Sequence, residues 1–144
     1  MKFITGFFSL TLFLLGPFSV QAQERALKTA LIGGHTFGVQ FIWDGYGEAI
    51  ITEDEHGVLH LSGTQYSKDK EEYVLLEGTI TIIDALHFRV KGNLKLFTEG
   101  CCGLLDREIT GTFCKTGNRK YWRLKERDEL CDSYTCTYYM DIFE

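Results

Sequence analysis

The sequence predicts an all-β protein, an antiparallel meander of about eight strands that closes or partly closes into a barrel, with a short N-terminal helix. Three observations predict this class. Short runs rich in Val, Ile, Thr, Phe and Tyr alternate between apolar and polar residues with a period of two. Glycines separate these runs, and the one proline lies near the N-terminus at Pro17. The connections are short and polar, so neighbouring runs can pair as neighbouring strands.

The first residues have the three parts of a secretory signal peptide. They are a positive start at Lys2, an apolar core over 3–15 and a small-residue cleavage pattern that ends at Ala22. The apolar core is shorter than the roughly 20 residues that a membrane-spanning helix needs. We therefore expect a signal peptide over 1–22, one all-β domain over 23–144, a secreted or periplasmic location, and no membrane insertion after cleavage.

The helix comes first in this domain and the strands follow. A helix is predicted over 23–32, where Leu27 and Leu31 are four residues apart and Gly33 and Gly34 end the pattern. Alternating runs then predict strands, each bounded by turn-forming residues. The predicted strands cover 36–43, 47–52, 58–66, 72–83, 87–98, 106–114, 121–126 and 134–143.

A meander of this length can close on itself and remove its exposed strand edges. Two sheets packed as an open sandwich are the alternative architecture. The moderate strand lengths and the lack of a long crossover connection favour the barrel. An eight-stranded barrel is just wide enough to be filled by side chains or to hold one small ligand.

The charge of the chain argues against several partners. Its formal net charge is −5, and removal of 1–22 takes away one lysine and no acidic residue. Acidic proteins are poorly suited to nucleic acid or anionic membranes. The most basic stretch agrees, because Trp122 and Leu124 fall on one face of a strand while Tyr121 and Arg123 fall on the other. We expect no nucleic-acid partner.

The sequence offers no pattern typical of an enzyme or a metal site. His56 and His60 are four residues apart, but Gly57 indicates a turn into a strand, where such residues lie about 13 Å apart. Nucleophile-elbow, zinc-protease and phosphate-loop patterns do not occur after the signal segment. The expectation is a protein without enzymatic activity, cofactor or metal ion.

The five cysteines all lie in the last third of the chain, and an oxidising compartment would pair them. A bond between the adjacent Cys101 and Cys102 would strain the peptide between them, so each is expected to pair elsewhere. Many pairings remain possible. Position favours Cys102 with Cys131 and Cys114 with Cys136. Cys101 would then be the spare thiol, which could link two copies into a dimer.

Two resemblances follow from these features. The short helix, an early strand with Trp43, the eight-strand meander and a late strand with Arg123 resemble the calycins, the lipocalin and avidin group. Most calycins bind a small molecule in the barrel mouth. The segment "TGNRKYWRLKE" and the ending "YYMDIFE" resemble an uncharacterised family of small exported bacterial proteins. The second resemblance implies no activity.

These observations predict a non-enzymatic exported barrel that binds a small apolar ligand in its interior, with the helix covering one end. Six aromatic residues are the candidate ligand-binding residues: Phe37, Phe41, Trp43, Phe88, Trp122 and Tyr138. The alternative is a disulfide-stabilised interaction or inhibitor protein with a filled core. A cavity of about 300 Å³ or more would favour the ligand, and a filled barrel with an exposed apolar patch would favour the partner.

Overall fold

The computed structural model describes residues 17–42, 44–100, 103–131 and 136–144. Within these ranges the chain forms one helix, one short 3-10 helix and eight strands, and the strands make a closed antiparallel barrel in chain order. The predicted fold class is thereby confirmed. The elements are α1 Pro17–Leu31, β1 Gly33–Val39, β2 Gly47–Glu53, β3 Leu59–Tyr66, β4 Tyr73–Ile82, β5 His87–Thr98, β6 Gly103–Cys114, β7 Tyr121–Leu124, the 3-10 helix Arg127–Glu129, and β8 Met140–Phe143.

The first and last strands close the barrel. Each strand pairs with the next, and β1 also pairs with β8. The closing register joins Phe37 with Ile142, Gly38 with Asp141, and Val39 with Met140. Closure satisfies backbone groups that an open sheet would leave at its edges, so the sandwich alternative is wrong.

Some element boundaries differ from the predicted ones. β1 begins at Gly33, ahead of the predicted start, and ends at Val39. Gly33 has φ 132°, a conformation open to glycine, so it ends the helix and also begins the strand. β8 is shorter than predicted and runs over Met140–Phe143. The helix extends further toward the N-terminus than the predicted 23–32 and includes Pro17, the first described residue.

Two glycines bring β4 and β5 close together. Gly78 and Gly92 face each other in the register of these strands. A Cβ atom on Gly92 would lie 1.9 Å from the carbonyl oxygen of Glu77, and one on Gly78 would lie 2.5 Å from that of Lys91. Only glycine fits at this approach of two backbones.

The barrel has two distinct ends. The helix end is where β1, β3, β5 and β7 begin, and it includes Gly33, Glu53, Ile82, His87 and Cys114. The loop end is the opposite end, and it includes Val39, Gly47, Tyr66, Thr98 and Met140. Helix α1 packs on the helix end, where Leu27 and Leu31 are buried and Lys28 Nζ lies 2.5 Å from Glu53 Oε1.

Candidate functional site

Most of the aromatic residues predicted to face inward are buried in the barrel. Phe37, Phe88 and Tyr138 have no exposed surface, and Trp122 has 1%. Phe41 lies in the turn after β1, half-buried, with its ring edge-on to Tyr138 at 5.4 Å between centroids. The sixth candidate, Trp43, lies outside the described residues.

Side chains fill the middle of the barrel. The ring of Phe88 stacks on that of Phe113 with centroids 5.3 Å apart and planes 5° apart, and Trp122 meets Phe88 edge-on at 5.9 Å. The Tyr138 hydroxyl is hydrogen-bonded to Thr98 Oγ1. A side chain lining an internal space large enough for water would expose surface to it, and Phe88, Phe113 and Tyr138 expose none. Ligand binding among them stays a prediction and requires the rings to move apart.

A groove lies instead between α1 and the helix end of the barrel. Its volume is about 260 Å³. The walls are mainly apolar, with Ala26, Leu27 and Ala30 from the helix and Leu86 and Trp122 from the barrel. The remaining lining residues are Gln23, Ala85, Lys115 and Glu144.

Two positions bring polar groups to this groove. The Trp122 indole Nε1 is buried and has no hydrogen-bond partner among the described residues. Buried donors in native proteins are nearly always paired, so an unpaired one marks a place where an acceptor can bind. Lys115 Nζ lies 5.5 Å from the Trp122 ring centroid and is ion-paired with Glu144. The groove therefore combines apolar walls with a buried donor that has no acceptor among the described residues and with an ion-paired lysine.

His35 fixes the helix beside this groove. Its Nε2 lies 2.8 Å from the carbonyl oxygen of Leu31, the last residue of α1, and its Nδ1 lies 2.9 Å from that of Phe143 in β8. The ring also meets Trp122 edge-on at 6.1 Å. Sequence reasoning did not assign His35 a role, because its two backbone partners come together only in the folded barrel.

A second cluster of polar side chains lies at the helix end, and it was not predicted from the sequence. Cys114 Sγ lies 3.0 Å from His87 Nε2, and His87 Nδ1 lies 2.8 Å from Asp84 Oδ1. Asp84 Oδ1 also accepts hydrogen bonds from the backbone N–H groups of Leu86 and His87, at 2.8 and 2.9 Å. The Leu86 N–H first, and then the His87 side chain, lower the pKa of Asp84. The result is a cysteine, histidine and aspartate in line.

The cysteine pairing predicted for Cys114 is wrong. Cys114 is a free thiol at the helix end of β6, whereas Cys136 precedes β8 at the loop end, so the length of the barrel separates them. Cys131 and Cys136 each take part in a disulfide bond. Cys101 and Cys102 lie outside the described residues, so the bond between Cys102 and Cys131 and the dimer through Cys101 stay predictions.

An apolar row crosses the outer face of the barrel at the loop end. We call this the aromatic row: Tyr66, Tyr73, Phe97 and Leu104 are successive cross-strand neighbours on β3, β4, β5 and β6. The ring centroids are 6.2 Å apart for Tyr66 and Tyr73 and 6.4 Å apart for Tyr73 and Phe97. Tyr66 is 48% exposed and Leu104 is 63% exposed. Water therefore reaches both ends of this row.

The described part of the chain gives two further results. None of its helices is long and apolar enough to cross a membrane. No cluster of three or more His, Cys, Asp or Glu side chains in it is arranged to hold a metal ion. His60 Nε2 in β3 contacts Asp54 Oδ2, in the turn between β2 and β3, at 2.8 Å.

Comparison with known proteins places the chain in a family. Residues 19–144 match the PM1083 family. The chain is 34% identical over 128 residues to the uncharacterised protein PM1083 of Pasteurella multocida (strain Pm70), an alignment that covers 84% of this chain and 78% of that protein. No solved structure matches it, and the resemblance to calycins stays a prediction. The chain belongs to the PM1083 family.

Proposed function

We propose that this protein is exported and, without acting as an enzyme, binds a small, mainly apolar ligand in the groove between α1 and the barrel. The observation that carries the proposal is Trp122, which lines the groove and has a buried indole N–H without an acceptor among the described residues. Burial of such a donor costs free energy unless an acceptor is supplied. A ligand whose acceptor group displaces the side chains that cover this N–H would remove that cost.

The lining indicates the chemistry of the ligand. Ala26, Ala30 and Leu86 offer an apolar wall for a short hydrocarbon chain, while Trp122 offers a hydrogen-bond donor. Lys115, which is ion-paired with Glu144, could exchange that partner for a bound carboxylate. A medium-chain carboxylate matches both parts, since its tail is apolar and its head accepts hydrogen bonds. The groove volume of about 260 Å³ suits a small ligand rather than a large one.

Export fits the position of the groove. Cleavage after Ala22 would make Gln23 the first residue, and Gln23 lines the groove. The remaining part of α1 keeps its anchors, since Leu27 and Leu31 are buried and His35 lies against the Leu31 carbonyl. The exported chain would therefore retain the helix that forms one wall.

Tryptophan fluorescence tests this proposal with decanoate as the probe. Trp43→Phe in the 23–144 chain leaves Trp122 as the single tryptophan. Decanoate is expected to change its emission in a saturable way. Ala30→Phe fills the groove and is expected to raise the dissociation constant about tenfold or more, since a bulky ring takes the place of the tail.

Thr29→Phe is the matched control, because it adds the same ring at the neighbouring exposed helix position, away from the groove lining. This variant is expected to keep the affinity of the parent. An unchanged emission at millimolar decanoate, or equal affinities of the Ala30 and Thr29 variants, would contradict the proposal.

The aromatic row supports a second candidate function, binding of a protein partner. Exposed aromatic side chains in one contiguous row are typical of the centre of an interface. Glu72 and Glu99 border the row, where Glu72 Oε1 accepts a hydrogen bond of 2.9 Å from the Glu99 N–H. Together with the net charge of −5, this edge favours a partner with a positively charged surface.

Two single variants test this second candidate. Leu104→Ser removes an apolar group from the row, and Ile50→Ser removes one with a similar exposure of 50% from β2, outside the row. Both proteins and the parent would be immobilised and exposed to a periplasmic extract of the host at low salt. We expect the parent and the Ile50 variant to capture one defined basic protein that the Leu104 variant does not capture. Identical capture by all three proteins would contradict the candidate.

A further inference from the structure

We propose that Asp84, His87 and Cys114 form a reactive thiol site that exchanges with low-molecular-weight disulfides. This inference is independent of the ligand groove. It begins from the register of β5 and β6, in which His87 and Cys114 are directly paired. Directly paired residues of antiparallel strands point to the same face. Their neighbours Phe88 and Phe113 are fully buried, so His87 and Cys114 lie on the outer face.

The hydrogen bonds assign a role to each group. Asp84 presents both carboxylate oxygens to His87 Nδ1, at 2.8 and 3.0 Å. Because a carboxylate accepts hydrogen bonds, the proton of the neutral ring lies on Nδ1 and Nε2 is left as an acceptor. Nε2 lies 3.0 Å from Cys114 Sγ, so the thiol donates to it. His87 is thereby placed to take the thiol proton, and Asp84 orients the ring that takes it.

The neighbouring cations are already paired. Lys115 follows Cys114 in sequence and forms an ion pair with Glu144. Arg123 lies opposite Cys114 on β7 and donates two hydrogen bonds to Asp141. His87 is therefore the group in contact with the thiol that can gain a proton. The site is also open to solvent, since Cys114 is half-buried and the His87 side chain is 28% exposed.

The exchange step balances with these groups alone. His87 Nε2 takes the proton from the Cys114 thiol, and the thiolate attacks one sulfur of the small disulfide. The disulfide bond breaks as the new bond to Cys114 forms, and the departing thiolate takes the proton back from His87. Cys114 is oxidised to a mixed disulfide and one small thiol is released in reduced form. Negative charge develops only on sulfur, so the step needs no donors for an oxyanion.

Oxidised glutathione is the probe for the test. The 23–144 chain is expected to gain a glutathionyl group on Cys114, located by peptide mapping, that Cys114→Ser lacks. At pH 7 the folded protein is expected to react about tenfold faster than the same chain unfolded in guanidinium, although folding half-buries the thiol. A folded protein that reacts no faster than the unfolded chain would overturn the proposal.

Two substitutions test whether the reaction rate depends on His87 specifically or on any histidine that contacts an aspartate. His87→Asn is expected to slow the reaction about tenfold or more, because the proton acceptor is lost. His60→Asn is the matched control, since His60 also contacts an aspartate, Asp54, but is far from Cys114 in the register. Its rate is expected to equal that of the parent. Rates for the two variants within twofold of each other would contradict a role for His87.

If His87→Asn fails to fold, the pH dependence of the reaction rate tests the role of His87 instead. At pH values below its pKa, an ordinary thiol reacts about tenfold faster for each unit by which the pH rises, because the thiolate fraction rises tenfold. The parent is expected to show a shallower rise between pH 6 and 8 than Asp84→Asn, in which the ring is no longer oriented by a carboxylate. Equal slopes for these two proteins would overturn the proposal.

Discussion

Asp141→Ala is expected to lower the free energy of unfolding by about 3–5 kcal/mol, with a fall in melting temperature on the order of 10 °C. Asp141 is buried in β8, with 1% of its surface exposed. Its two oxygens accept hydrogen bonds of 2.7 Å from Arg123 Nε and Nη2. The hydrogen bond to Asp141 raises the pKa of Arg123. Without the carboxylate, a largely buried guanidinium loses its counter-charge.

The rings around Arg123 explain why water does not replace the lost carboxylate. The guanidinium carbon lies 4.5 Å from the Tyr139 ring centroid and 5.0 Å from that of Tyr121. Denaturant unfolding measures the loss. Asp106→Ala is the control, because it breaks an exposed ion pair with Lys95 and should change stability by no more than about 1 kcal/mol. If both variants lost similar amounts of unfolding free energy, the buried Asp141–Arg123 pair would be no more stabilising than the exposed pair, and the prediction would be wrong.

Phe88→Ala is expected to lower the free energy of unfolding by about 3–5 kcal/mol. Phe88 is fully buried between Phe113 and Trp122, so removal of its ring leaves a cavity in the filled part of the barrel. The same unfolding measurement on Leu104→Ala provides the control. Leu104 is 63% exposed, and its loss should change stability by about 0.5 kcal/mol or less.

The unfolding free energy lost in Phe88→Ala also tests whether the barrel interior could hold a ligand. A loss below about 1 kcal/mol would mean that the rings around Phe88 are loosely packed. The predicted ligand in the middle of the barrel would then regain support. A large loss supports a barrel whose stability depends on a filled core, with ligand binding confined to the groove.

The sequence predicted most strands because their alternation is a local property. The predicted strand 87–98 coincides with β5, in which every second residue toward the core is apolar apart from Gly92 and Thr98. The ends of β1 and β8 were less predictable. Gly33 and Gly34 have no apolar side chain to mark a face, and they join β1 because Ile51 and Ile50 in β2 lie opposite them.

The same locality explains what was predicted of the candidate sites. Alternation within single strands predicted that Phe37, Phe88 and Trp122 face inward. It carries no information on how tightly rings from different strands pack, so it could not decide between a filled interior and one that holds a ligand, and the groove under α1 was not predicted.

The thiol cluster depends on pairing between strands. Cys114 and His87 are 27 residues apart and meet through the register of β5 and β6. A signal was present in the sequence, since His87 begins the predicted strand 87–98 and Cys114 ends the next predicted strand, 106–114, so a hairpin of the two brings these residues to the same end. Because Cys114 was assigned to a disulfide with Cys136, its contact with His87 was not predicted.

The indole N–H resonance of Trp122 tests the ligand groove most directly. In a ¹⁵N-labelled 23–144 chain, Trp43→Phe would assign the two indole signals, and decanoate would then be added to saturation. We expect the Trp122 N–H proton to move downfield, because the buried donor gains a carboxylate acceptor, and we expect a smaller movement in Ala30→Phe at the same decanoate concentration. A Trp122 indole signal that stays in place while decanoate is at saturating concentration would contradict the groove as the ligand site.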